Sequence, residues 1–192
     1  ILGYDGSFMT PECGGNCYSD WLGVVEANVG VNKANYFIKR SFDLKVVNDG
    51  VDIRRILSIN FQNPANSALG LSGRYKVYIR IAVPNDSEVT GARIISGQDI
   101  SEVTPEITDI AGRREAGFLL EVPAQQTKSL IVEWQKPSTL SVDSPGEYRL
   151  FWRKQAGTNQ DPISVKIDFS LTGQREYVYN TVLARDYFSR IS

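Results

Sequence analysis

Amides are the densest chemistry-bearing groups in this chain. Asn28, Asn32, Lys33 and Asn35 crowd into Glu26-Ala-Asn-Val-Gly-Val-Asn-Lys-Ala-Asn35, between two apolar stretches. A side-chain amide offers both donors and an acceptor, which is what a sugar hydroxyl pairs with. The same groups also satisfy backbone in a crossover between two strands, and that structural role is the commoner of the two. Tyr78 completes the candidate ligand patch, because it falls on the polar side of its strand. Exposed rings stack on sugar faces or anchor protein partners.

Catalytic chemistry finds little to work with. The chain has no histidine, so the commonest general base and metal ligand is missing. A serine nucleophile with a histidine base is thereby excluded, and no Ser-x-x-Lys occurs. A glycosidase needs two carboxylates facing a groove at a set separation. Asp99, Glu102, Glu106 and Asp109 lie in a polar stretch and Asp86 and Glu88 near a turn, but no spacing selects a pair. Asn48-Asp49-Gly50 with Asp52 falls short of an EF-hand loop and reads better as a hairpin turn. We therefore expect no catalytic residue, no metal ligand and no cofactor.

Cys13 and Cys17 are the only cysteines, in Pro11-Glu-Cys-Gly-Gly-Asn-Cys-Tyr18. Gly14, Gly15 and Asn16 supply the backbone freedom that a short disulfide loop requires. Half a zinc site would need two more soft ligands, and a thioredoxin-like pair has two intervening residues rather than three. A disulfide is expected, and it points to an oxidising, extracytoplasmic setting.

The elements that must carry these groups are strands. Tyr75, Val77, Ile79, Ile81 and Val83 alternate with Lys76, Tyr78 and Arg80, the two-residue period of a sheet with one buried face. Phe42, Leu44 and Val46 repeat the pattern, as do Leu57, Ile59 and Phe61, and Leu130, Val132 and Trp134. Tyr148, Leu150 and Trp152 follow, then Val165, Ile167, Phe169 and Leu171. Trp134 and Trp152 continue apolar faces and are expected to be buried. The paired Arg54-Arg55 suggests a bulge or a change of face. Ser96 to Arg113 reads as a long loop carrying one or two short strands. No helix-period stretch of useful length occurs. The expected fold is an all-β antiparallel sandwich of immunoglobulin- or fibronectin-like architecture. Its body spans 41–173. Residues 1–40 are a lead-in with a first strand, the remnant of an upstream domain, and 174–192 are a strand or tail packing on the sandwich.

Twenty-one basic residues oppose twenty-two acidic ones among 192, for a net charge of −1. No basic stripe marks a nucleic-acid partner. No apolar run reaches the roughly eighteen residues of a membrane span, so this stretch itself is expected to make no membrane contact. Ile1 in place of Met suggests a fragment or processed product, with any leader or anchor upstream.

Glu26 to Arg40, Tyr75 to Ser87, Glu115 to Val122 and Arg153-Lys-Gln-Ala-Gly-Thr158, in that order, resemble the C-terminal part of a bacterial domain-of-unknown-function family, the one numbered four-zero-one-two. The resemblance implies an exported, surface- or envelope-anchored protein with an upstream membrane helix, loosely associated with cell-surface polysaccharide. It implies no catalytic residues. The expectation is thus a non-catalytic extracytoplasmic scaffold or interaction domain, with a surface protein or envelope polysaccharide as partner. A carbohydrate-binding module is the alternative, and a polysaccharide-processing hydrolase the second alternative.

Overall fold

The computed structural model describes residues 13–30, 34–66, 73–141, 146–169 and 176–191. Asn32, Lys33 and Leu171 lie outside these residues. Strands dominate, and the one helical element described is a single 3-10 turn at Ala34–Tyr36. In chain order the strands are β1 (Cys17–Asn28), β2 (Lys39–Asn48), β3 (Asp52–Gln62), β4 (Tyr75–Pro84), β5 (Glu88–Ser96), β6 (Asp99–Glu102) and β7 (Glu106–Ile110). They continue as β8 (Arg113–Val122), β9 (Thr127–Pro137), β10 (Glu147–Arg153), β11 (Asp161–Asp168), β12 (Tyr177–Leu183) and β13 (Tyr187–Ile191).

They form a six-stranded sheet, β13-β10-β1-β4-β8-β7, packed on a seven-stranded sheet, β12-β11-β2-β3-β9-β5-β6. The inward rows expected from alternation supply one shared core, with Val46, Ile59, Val77, Leu130, Trp152 and Val165 almost wholly excluded from solvent. Trp134 is buried too. Packing two inner faces in this way is the sandwich solution to burying one side of each sheet. The Phe42 and Trp152 rings meet edge-on across the layers, 5.6 Å between centroids.

The all-β sandwich expectation holds, but the sheets are mixed rather than antiparallel. β1 runs parallel to β10 and β2 parallel to β11. Alternation places side chains identically whichever way the neighbour runs, so direction is not written in the period. The immunoglobulin pattern has about seven to nine antiparallel strands; the thirteen strands among the described residues, with two parallel pairings, depart from it.

The segment expected as a lead-in supplies β1, an interior strand of its sheet, while β12 and β13 close one edge of each sheet. The 41–173 boundary therefore cuts through β2. Arg54-Arg55 makes no bulge: β3 keeps register with both neighbours, and Arg55 occupies an inward position between Ile53 and Leu57. The register shift falls in β5, between Val89 and Gly91. Asn48-Asp-Gly50 does turn β2 into β3. Asp49 Oδ1 accepts the Val51 and Asp52 amides, and Gly50 takes a φ of 88°. The Ser96–Arg113 stretch holds two short strands, β6 and β7, on the free edges of opposite sheets.

Candidate functional site

One end of the sandwich opens into a cleft of about 210 Å³. β1, β2 and β4 bring their ends there, joined by the 3-10 turn and the β10–β11 connection. Inward positions of β1 continue past Leu22 and Val24 to Glu26 and Asn28, so the core gives way to polar groups at the rim. Arg40 does the same at the start of β2 and Tyr75 at the start of β4.

Arg40 anchors the floor. Its guanidinium meets Glu26 at 2.7 Å and Asp161 at 2.9 Å, and all three side chains are more than nine-tenths buried. Tyr75 donates its hydroxyl to the second oxygen of Glu26 at 2.9 Å. Burial works against the Arg40 charge, but Glu26 and then Asp161 outweigh it and hold its pKa above the ordinary guanidinium value. Burial pushes the Asp161 carboxyl upward despite Arg40. The Tyr75 phenol is pushed up as well, by burial first and by Glu26 second, so it keeps its proton and remains a donor.

Gln155 forms one wall. Its side-chain amide pairs with the Glu26 backbone in both directions, accepting from the N–H at 2.7 Å and donating to the carbonyl at 3.0 Å. Lys154 Nζ donates to the Gln155 and Thr158 carbonyls and to Thr158 Oγ1, which stiffens the connection from within.

Of the residues singled out from the sequence, Asn28 and Asn35 both line the cleft. Asn28 Nδ2 donates to Asn35 Oδ1 at 3.3 Å, and Asn28 Oδ1 accepts the Gly30 amide at 3.0 Å. The backbone-satisfying role foreseen for these amides is present at Asn28, which accepts the Gly30 amide while sharing the cleft lining with Asn35. Tyr78 is not brought to them. It projects from the opposite face of β4, where its ring covers Gly117 and its hydroxyl donates to Glu106 at 2.7 Å. The Glu106 hydrogen bond raises its pKa. Cys13 and Cys17 are joined in a disulfide at the far end of β1, with 5.6 Å between their Cα atoms.

Tyr36 is the residue the alternation did not single out. It lies in the cleft lining with 78% of its surface exposed, and its ring meets Phe37 edge-on at 5.3 Å. All three tryptophans, by contrast, are buried. A local signal did exist: an aromatic beside Asn35, in a turn-rich stretch, has no strand face to bury itself in. The carboxylates weighed for hydrolysis are dispersed. Asp99 and Glu102 sit on β6, Glu106 and Asp109 on β7, and Asp109 is engaged by Arg114 at 2.8 Å.

The chain matches no protein-family profile and no curated protein. Among solved structures it is similar to a candidate nutrient binding protein from Legionella pneumophila, with a TM-score of 0.54 and 8% identity over 88% of this chain and 70% of that one. Two structures of a zinc metallopeptidase from Deinococcus radiodurans align with a TM-score of 0.35. They share 11% and 12% identity, over 68% of this chain and 31% and 32% of theirs. The first likeness is one of fold.

Proposed function

We propose that this chain is a non-catalytic, extracytoplasmic binding domain whose end cleft seats a saccharide, one ring resting on Tyr36. The observation that carries the reading is the exposed Tyr36 face beside the Asn28, Asn35, Gln155 and Asn159 amides. An aromatic platform bordered by groups that both donate and accept hydrogen bonds is the chemistry of a sugar site. At about 210 Å³ the cleft falls below the ~300–1,000 Å³ of drug-sized pockets, which suits one ring of a longer chain.

The carboxylates nearest the cleft support binding over hydrolysis. Glu26 and Asp161 share one guanidinium, an arrangement that orients side chains rather than freeing an acid and a base. The Cys13–Cys17 disulfide supports a place outside the cytoplasm. The family resemblance adds a surface-anchored bacterial protein and an envelope polysaccharide as the source of the ligand. The Legionella protein is described as nutrient binding, which is compatible in kind.

A second reading, a docking end for a surface protein, draws on Phe37, which is about half exposed and meets the Tyr36 ring edge-on, and on the half-exposed Val29 that follows Asn28. A glycan array followed by calorimetry on the best ligand separates the two. Tyr36→Ala should weaken binding roughly tenfold, the upper range of one aromatic contact. The absence of any glycan bound, or an unchanged affinity in Tyr36→Ala, defeats the saccharide reading.

A further inference from the structure

Ala156 and Gly157 form a low crest between two hollows. On one side lies the Tyr36 cleft. On the other is an open hollow of about 570 Å³, bounded by Lys154, Ala184, Arg185 and Asp186 and sharing the Gln155–Gly157 wall. We propose that this second hollow is a subsite for the carboxylate of an acidic sugar, held by Arg185, so that the bound chain lies across the crest. The inference rests on the saccharide reading of the first cleft and adds the ligand's charge and direction.

Charge assignments distinguish the hollows. In the first, Arg40 is taken up by Glu26 and Asp161, which leaves that cleft suited to a neutral ring. In the second, the Lys154 ammonium is taken up by Gln155 and Thr158, and Asp186 Oδ1 accepts the Lys154 amide at 2.8 Å. Arg185 is exposed and, among the described residues, stands in no ion pair. A guanidinium offers a planar fork of donors that fits a carboxylate with two parallel hydrogen bonds.

The crest suits passage of a chain. Ala156 and Gly157 are exposed and small, and Gly157 holds a left-handed φ of 77° with open space above its Cα. Beneath it the Lys154 and Gln155 hydrogen bonds, together with Thr158 Oγ1 donating to the Gln155 carbonyl at 2.9 Å, keep the loop in one shape. A preordered wall loses little entropy when a ligand settles on both sides of it.

The test uses matched pairs: hexuronate tetrasaccharides and their carboxyl-reduced counterparts, titrated calorimetrically into the intact chain. The acidic member of a pair should bind up to about fivefold tighter at low salt, the range of a solvent-exposed ion pair, and the gap should close as salt rises. Arg185→Ala should erase the preference and leave the reduced tetrasaccharide unaffected, whereas Arg185→Lys should keep part of it. Ala156→Trp should weaken tetrasaccharides while sparing monosaccharides, with an unchanged thermal midpoint confirming the fold. Equal affinity for both members overturns the acidic subsite and leaves the cleft reading standing. A preference that survives Arg185→Ala also overturns it. Failure to bind either member of any pair overturns the acidic subsite, and overturns the saccharide reading as well when the glycan array also finds no ligand.

Discussion

Arg55 Nε donates to Asp20 Oδ2 across 2.8 Å, joining the middle of β3 in one sheet to β1 in the other. Only 1% of the Arg55 side chain and 3% of the Asp20 side chain reach solvent. Each terminal nitrogen of Arg55 has a partner as well. Arg55 Nη1 reaches the Ile53 carbonyl at 2.6 Å and Nη2 the Tyr18 hydroxyl at 2.8 Å, while Tyr148 donates to Asp20 Oδ2 at 2.6 Å. Burial opposes the Arg55 charge, but Asp20 above all holds its pKa above the ordinary value.

Removing both partners should therefore cost less than the two single removals added together. Asp20→Leu leaves a buried guanidinium without its counter-charge and should cost about 3–5 kcal/mol. Asp20→Leu with Arg55→Met should lose less than the two single changes added together, measured by urea unfolding. Strict additivity would show that the pair is not coupled.

The same cluster governs behaviour in alkali. Burial pushes the Tyr18 phenol up to about 12, and raises Tyr148 and Tyr75 as well, each with a carboxylate neighbour adding to the effect. A folded pKa above the unfolded one gives stability that is complete below about pH 10 and lost as pH climbs toward the folded value. Of the nine tyrosines, these three should stay protonated when exposed phenols ionise. Their phenolate absorbance should rise only with loss of the native circular-dichroism signal. Full ionisation of all nine in a still-folded chain would contradict this.

On the outer face of the six-stranded sheet, Tyr78 occupies the space a side chain at position 117 would fill. A Cβ on Gly117 would lie 2.8 Å from Tyr78 Cζ and closer still to the hydroxyl. Gly117→Ala should displace the ring, break its bond to Glu106 and cost about 1–3 kcal/mol. Adding Tyr78→Ala should recover part of that loss in thermal denaturation, because the clash goes with the ring. Ligand affinity at the Tyr36 cleft should not change in Tyr78→Ala, since the two rings belong to different faces.

Reduction of the Cys13–Cys17 bridge should leave the fold standing. So small a loop restricts the unfolded chain by only about 2 kcal/mol in the chain-entropy model. The loop end is also held without it: Asn16 exchanges two side-chain hydrogen bonds with Ser141, at 2.8 and 3.2 Å. Cys13→Ser/Cys17→Ser should unfold cooperatively at modestly lower denaturant, and mass measurement of the native chain should gain two hydrogens on reduction. A chain that fails to fold without the bridge would refute this account.

The inward rows were legible residue by residue. Tyr75 to Val83, Phe42 to Val46 and Leu130 to Trp134 all bury the side that their two-residue period picks out, because the pleat of a strand is a local property of the backbone. The Asn48-Asp-Gly50 hairpin was legible for the same reason. Charges interrupt those rows as well: Asp20 and Glu26 on β1, Arg40 on β2, Arg55 on β3 and Asp161 on β11 all sit at inward positions, which local alternation does not explain. Arg54-Arg55 suggests a bulge or a change of face from the sequence; in the fold β3 keeps its register and Arg55 is one half of a buried pair with Asp20.

The amide-rich stretch around Asn28 and Asn35 was visible as a polar cluster, but its neighbours were not, since Gln155 and Thr158 arrive from more than a hundred residues away. Local alternation thus determined which face of each strand is apolar and which residues break the pattern. Which strands lie side by side, in which direction, and which inward acid meets which inward base were decided only when the two sheets closed. Pairing between distant strands and charges depends on contacts that no local period encodes.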